Sequence, residues 1–222
     1  MIRLLALAAA ATALSAAPAA AAPEAARPAG PAFVRGTITA FTPAPPPIVR
    51  DAVTTLLPAE VTVKPAEGAP VTVLIAAGQR VLTASRADVA ALTAGSYIGT
   101  VARPRRNHVL EASEVHVFAE PLRGTDEGQR PWEPTRATLT AGTLAQVGTI
   151  RHHAGRTLTI DWKGGSQQVV VPANAPVTTI AEGAMATLVP GARVIATGTR
   201  TPDGRVAAAQ VIVGVGGAVP AM

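Results

Sequence analysis

The chain has 222 residues, no cysteine and a formal net charge of +5 carried by 17 arginines and two lysines. Without cysteine there are no disulfides, no thiolate metal site and no cysteine nucleophile. The basic residues are spread along the chain instead of forming the clustered stripe that nucleic acid needs, and the length allows one large domain or two small ones.

At the N-terminus Arg3 precedes an apolar run over residues 4–14, followed by small residues up to Ala22. This is the charged, apolar and Ala-x-Ala-like order of a secretory signal peptide, so residues 1–22 are expected to be removed. The run is shorter than the roughly 20 apolar residues that cross a bilayer. No later stretch is long and apolar enough, so the expectation is a periplasmic or otherwise secreted chain with no membrane span after cleavage. Residues 23–32 are an Ala/Pro leader without a periodic apolar face and are expected to be disordered.

A first module is expected over residues 33–118. Arg35-Gly36-Thr37-Ile38 opens a strand that ends at the Pro-rich stretch 42–47. Val61 and Val63 alternate with polar residues, Glu67-Gly68 marks a turn, and the run 71–75 alternates again, which predicts a hairpin. A short helix is predicted over 85–92, with Ser85 as N-cap and Asp88 at the capping-box position. Strands over 97–102 and 108–118 close the module.

The order then repeats. Val147-Gly148-Thr149-Ile150 matches Arg35-Gly36-Thr37-Ile38, the run 157–161 matches the strand around Val63, and Thr201-Pro202-Asp203-Gly204 is the last hairpin turn. An offset of 96 holds from Gly78 to Phe118, 97 from Thr62 to Ala76, and 112 at Gly36. This co-linear order points to duplication. In the second module Val170 matches Val73 and is expected in the core, so Val169 and Val171 are expected to face outward beneath a covering surface.

The fold class expected is therefore mainly β: two tandem OB-like five-stranded barrels of order β-β-β-α-β-β, each with one short helix. A small open β-roll has the same order. The second module spans 147–214 and residues 215–222 form a tail. Between the modules, residues 119–146 are a charged connector without a counterpart after Val213.

The GTI opening, the Asp-Gly hairpin and the closing Ala112-Ser113-Glu114-Val115-His116-Val117, repeated as Ala208-Ala209-Gln210-Val211-Ile212-Val213, resemble a bacterial family of small exported OB-like β-domains of unknown function. The stretch through Arg123-Gly124-Thr125 to Arg130-Pro131-Trp132 resembles a two-module periplasmic subfamily, some members of which carry a metal-transport label. The resemblance spans residues 33–214 and bears on fold more than on function.

Several residues are candidates for chemistry. Glu114 and His116 lie two apart on one strand and share a face, and His108 and Asp126 could approach them. A His-plus-carboxylate set suits zinc or another transition metal. The alternative is a solvent-facing polar strand edge. His152-His153 is a poor chelate, because neighbouring strand residues face opposite ways. No serine sits in a nucleophile context. Asp126 and Glu127 are expected to pair with Arg123 and Arg130. Trp162 is expected to cover one barrel end rather than stack on a ligand, and Trp132 with Leu122 to fix the two modules against each other. The expected function is a non-enzymatic binding or scaffold protein of the cell envelope, with an envelope protein or a small anionic or glycan ligand as partner. The alternative is a metal-binding accessory protein of a transport system using His108, Glu114 and His116.

Overall fold

The computed structural model describes residues 30–105, 109–132, 136–150 and 155–220. The signal segment, His108, His152 and His153 lie outside them. Among the described residues fifteen strands follow in chain order: β1 (Pro31–Thr42), β2 (Ile48–Arg50), β3 (Val53–Thr55), β4 (Ala59–Pro65), β5 (Val71–Ile75), β6 (Val81–Ala87), β7 (Tyr97–Pro104), β8 (Leu110–Phe118), β9 (Gly128–Trp132), β10 (Ala137–Thr149), β11 (Arg156–Trp162), β12 (Gly165–Val171), β13 (Val177–Gly183), β14 (Arg193–Arg200) and β15 (Val206–Gly214). The fold is mainly β, as expected. β2 and β3 form a separate small hairpin in the Pro-rich insertion, and the other thirteen strands form one continuous sheet.

That sheet closes on itself twice. β1, β4 and β5 close with β15 and β14 into a first five-stranded barrel, and β10, β11 and β12 close with β8 and β7 into a second. These are not tandem modules. Each barrel takes three strands from one sequence half and the last two from the other. The first barrel is built from the two ends of the described chain, and the second lies within residues 97–171. The cores carry the same signature: Val34, Ile38, Val61, Val63, Val73 and Ile75 pack with Val194, Val206, Val211 and Val213, while Ile98, Ala112 and Val115 pack with Leu144, Leu158, Ile160 and Val169.

The crossing strands explain the exchange. β6 and β13 leave one barrel and enter the other, and they pair antiparallel about Ala84 opposite Ile180, two residues 96 apart in sequence. A pseudo-twofold axis therefore runs between them. The predicted helices are absent because this region is used in extended form. Ser85 lies within β6, and only the 3-10 turn Val89–Ala91 follows, with Met185–Thr187 as its counterpart. Asp88 does cap, accepting the Ala90 N–H at 3.0 Å, but the turn holds only three residues. Sheet pairing on both sides of β6 overrides a weak helical signal.

Two registers differ from the sequence alignment. Gly36 pairs with Val194, and the equivalent pairing in the second barrel is Gly142 with Ile98, so Gly142-Thr143-Leu144 is the counterpart of Gly36-Thr37-Ile38. The first-strand offset is thus 106, not 112. Both glycines sit where a Cβ would come within 2.3 Å of a carbonyl oxygen, that of Lys64 or of Asp161. In the third strand Val61 opposes Val73 and Leu158 opposes Val169, so Val169, not Val170, is the counterpart of Val73. A one-residue slip exchanges the two faces of a strand. Val169 and Val171 are accordingly fully buried in the second barrel and cover no outer surface.

The expected boundaries shift as well. The leader ends before Pro31, where β1 begins, and the residues after β15 are not a loose tail. Ala119 N–H donates to Ile180 O at 2.8 Å, and Val215 N–H donates to Ala84 O at 2.9 Å. Leu122 and Ala218, again 96 apart, are both buried. The start of the connector therefore has a counterpart after β15.

Candidate functional site

β8 carries Glu114 and His116 to the seam between the barrels. Alternation buries Val115 in the second barrel and turns its two neighbours to the other face, where His116 shares a small cavity with Gln210 and Ile212 of the first barrel. The expectation of a solvent-facing polar edge does not hold: Glu114 is 6% and His116 3% exposed. His116 Nδ1 lies 2.7 Å from Thr178 Oγ1 on β13. His116 Nε2 lies 3.8 Å from Glu114 Oε1 and has no hydrogen-bond partner among the described residues. A cavity of about 20 Å³ beside it is bordered by Phe118, Asp126, Gln210 and Ile212. That is room for a single water.

The pseudo-twofold makes this seam asymmetric in chemistry. Thr178 pairs with His116, and the equivalent pair is Leu82 with Ile212. Glu114 likewise corresponds to Gln210. One side is thus apolar apart from an amide, and the other holds a buried imidazole and carboxyl. Among the described residues no three His, Asp or Glu side chains converge as metal ligands. Of the expected metal set, Glu114 and His116 come together, Asp126 borders the adjoining cavity and His108 lies outside the described residues.

The connector folds against the second barrel. Leu122 is buried with Leu82, Ala84, Ile180 and Ile212 at the crossing point. Arg123 donates to both Glu120 oxygens, at 2.5 and 2.9 Å, and to Gly95 O at 2.9 Å, and its guanidinium lies 5.7 Å from the centre of the Tyr97 ring. These hydrogen bonds hold the Glu120 carboxyl below its ordinary range. Tyr97 donates to Thr125 O at 2.9 Å. Burial pushes the Tyr97 phenol up to about 12, with Glu127 and Asp126 adding to the shift and Arg123 opposing it. Arg130 pairs with Asp126 at 3.0 Å, while Glu127 accepts the Lys163 backbone N–H at 3.0 Å. So Asp126 finds Arg130 as expected, but Arg123 turns to Glu120.

Trp132 ends β9 and meets Phe33 of β1 edge to face, with ring centres 5.8 Å apart. It therefore spans the two barrels. Leu122 does so separately, with Phe118 packed against both clusters. Trp162 lies over the hairpin glycines, its ring 3.2 Å from where a Cβ of Gly165 would stand.

A feature that sequence reasoning missed is an open groove of about 740 Å³ at one end of the first barrel. Its walls are the start of β1, the β4–β5 turn and the β14–β15 turn. Phe33, Val34, Pro70 and Val71 supply apolar surface, Arg35, Arg200 and Arg205 supply positive charge, and Glu67 and Asp203 supply negative charge. Arg205 is engaged with Asp203 at 2.7 Å and Glu60 at 3.0 Å. Hydrogen bonds from Thr201 and then Arg205 hold the Asp203 carboxyl below its ordinary range. Arg200 donates to Gly204 O at 3.0 Å. Among the described residues, neither Arg35 nor Arg200 has an acidic partner. No linear motif marks the groove, because its walls come from both ends of the chain.

Comparison of the chain with protein-family models, curated proteins and solved structures returned no match.

Proposed function

We propose that this chain is an exported, non-enzymatic binding or scaffold protein of the cell envelope, and that its ligand sits in the groove of the first barrel. The observation that carries this reading is the groove itself: concave, mixed apolar and polar, and lined by two arginines that have no acidic partner among the described residues. Binding sites are typically concave, with a few placed polar groups on an apolar floor. The positive balance favours an acidic segment of an envelope protein, or a small anionic or glycan ligand. Immobilised full-length chain should capture a ligand from envelope extracts, and Arg35→Glu/Arg200→Glu should abolish that capture without changing the melting temperature. Undiminished capture by the double variant would remove the groove from the reading.

A second reading, a metal-binding accessory protein, has one observation in its favour: His116 Nε2 lies beside Glu114 without a hydrogen-bond partner among the described residues. It requires stoichiometric zinc or copper in protein purified without a His tag, lost on His116→Ala.

A further inference from the structure

The two barrels differ at one equivalent place, and the difference defines a binding mode. In the second barrel, β9 pairs antiparallel with the start of β10, Gly128 opposite Ala141 through Trp132 opposite Ala137. The counterpart of residues 137–141 is residues 31–35 of β1. There β14 pairs along one side, while on the other β4 reaches only as far back as Gly36. No described strand occupies the place that β9 holds in the second barrel. That place is the groove.

The free edge can be assigned atom by atom. Ile38 N–H donates to Ala192 O, and Gly30 O accepts from Arg200 N–H, both on the β14 side. Hydrogen-bonding direction alternates along a strand. The N–H and C=O groups of Phe33 and Arg35 therefore point into the groove. The same parity in the second barrel has Leu144 bonded toward β7, so residues 137, 139 and 141 turn toward β9. Pro131 then falls at a position whose missing N–H faces away from the pairing, where proline is tolerated.

Resting on the groove reading above, we infer that the first barrel binds an extended segment of a partner protein by strand addition to the open edge of β1. The lining sets its side chains. In β9, Gln129 lies over Thr140 and Gln167, donating at 3.2 and 3.4 Å. The equivalent residues in the groove are Val34 and Val71, so the segment carries an apolar side chain there. The next position, equivalent to Gly128, lies opposite Arg35 and takes an acidic side chain. Main-chain pairing supplies affinity and the alternate pockets supply specificity, the general mode of β-augmentation.

The test uses the full-length chain and a synthetic peptide with Glu opposite Arg35, Val opposite Val34 and Thr opposite Phe33. Binding is followed by fluorescence anisotropy. N-methylation of the Glu and Thr amides, which face β1, should weaken binding roughly tenfold or more, since each loses a hydrogen bond and meets a methyl clash. N-methylation of the Val amide, which faces away, should leave binding within about twofold. Arg35→Glu should weaken the parent peptide and restore binding of a peptide with Lys in place of Glu. Equal binding of all three methylation states would overturn strand addition while leaving the groove reading intact. So would failure of the peptide to bind while Arg35→Glu/Arg200→Glu still abolishes ligand capture. Concentration-dependent dimerisation lost on shortening the β2–β3 hairpin would also overturn it, by placing a second copy in the groove. Ligand capture that survives the double arginine variant would instead sink the groove reading itself.

Discussion

Replacing His116 with isoleucine gives the seam the residue its pseudo-symmetric counterpart already has. Alone, the change should be harmful. Thr178 loses its 2.7 Å partner, and its hydroxyl is left in a site where the residue is 4% exposed. A buried polar group without a partner costs about 1–3 kcal/mol. The Glu114 carboxyl, 8% exposed in its side chain, loses its closest charge-capable neighbour at the same time, which adds to the loss. At about 2–4 °C per kcal/mol for a chain of this size, His116→Ile should lower the melting temperature by about 2–12 °C. Glu114→Gln/His116→Ile/Thr178→Leu instead writes the Gln210, Ile212 and Leu82 arrangement onto the other side of the axis. Replacing all partners of a buried polar set by matched groups is close to neutral, so the triple variant should melt within about 2 °C of the parent. The assay is calorimetric melting of the three proteins under one buffer and scan rate. A triple variant no more stable than the single one would refute the pseudo-symmetry argument.

Three further outcomes are expected. Gly36→Ala and Gly142→Ala should each destabilise by about 1–3 kcal/mol through overpacking against a carbonyl. Gly148→Ala, whose nearest neighbours would stand at 3.7 Å, should stay within about 0.5 kcal/mol in denaturant unfolding. The chain's single tyrosine should ionise near pH 12 when folded, against the ordinary 10.0, as read by ultraviolet absorbance. Because the folded value is the raised one, the neutral phenol's contribution is fully present below pH 10 and is lost as pH rises toward 12, so stability should fall across that window. Trp132→Ala should cost about 1–3 kcal/mol, less than the loss for a fully buried tryptophan, and should remove one of two fluorescence components. Unchanged stability and emission would mean that the contact with Phe33 does not join the barrels.

Much of the fold was legible because β patterning is local. The alternation at Val61, Val63, Val73 and Ile75 and the turn glycines located strands that the structure contains. Duplication was legible too, since the offset of 96 carries β6, β7 and β8 onto β13, β14 and β15. What could not be read is which half each strand joins. Closing a barrel with its own last hairpin or with that of the other half buries the same side chains, so the apolar pattern is the same for both. The choice lies in β6 and β13, and Ser85 in β6 with Asp88 just after it resembles a helix start when taken alone. The two register errors share one cause. Gly148-Thr149-Ile150 matches Gly36-Thr37-Ile38 better by letter than Gly142-Thr143-Leu144 does, yet only Gly142 meets the close carbonyl that requires glycine. In the run Val169-Val170-Val171, three identical residues carry no parity. The candidate sites divide likewise. Glu114 and His116 were found because two ligand-type residues share a strand face, but their burial depends on packing that a single strand's pattern does not carry. The groove had no local signal at all, because its walls meet only after the exchange.

The exchange is tested most directly by a disulfide in this cysteine-free chain. Thr37 of β1 lies opposite Arg193 of β14, and Arg193 donates to Thr37 Oγ1 at 3.2 Å. Neighbouring positions of this kind are within the Cα reach of a disulfide. Thr37→Cys/Arg193→Cys should oxidise to an intramolecular bond in the monomer, seen as a mass loss of about two hydrogens and faster migration without reductant, with parental stability or better. Tandem barrels would hold these positions in separate units. Free thiols or only intermolecular dimers under the same oxidation would contradict the exchanged fold, and with it the groove.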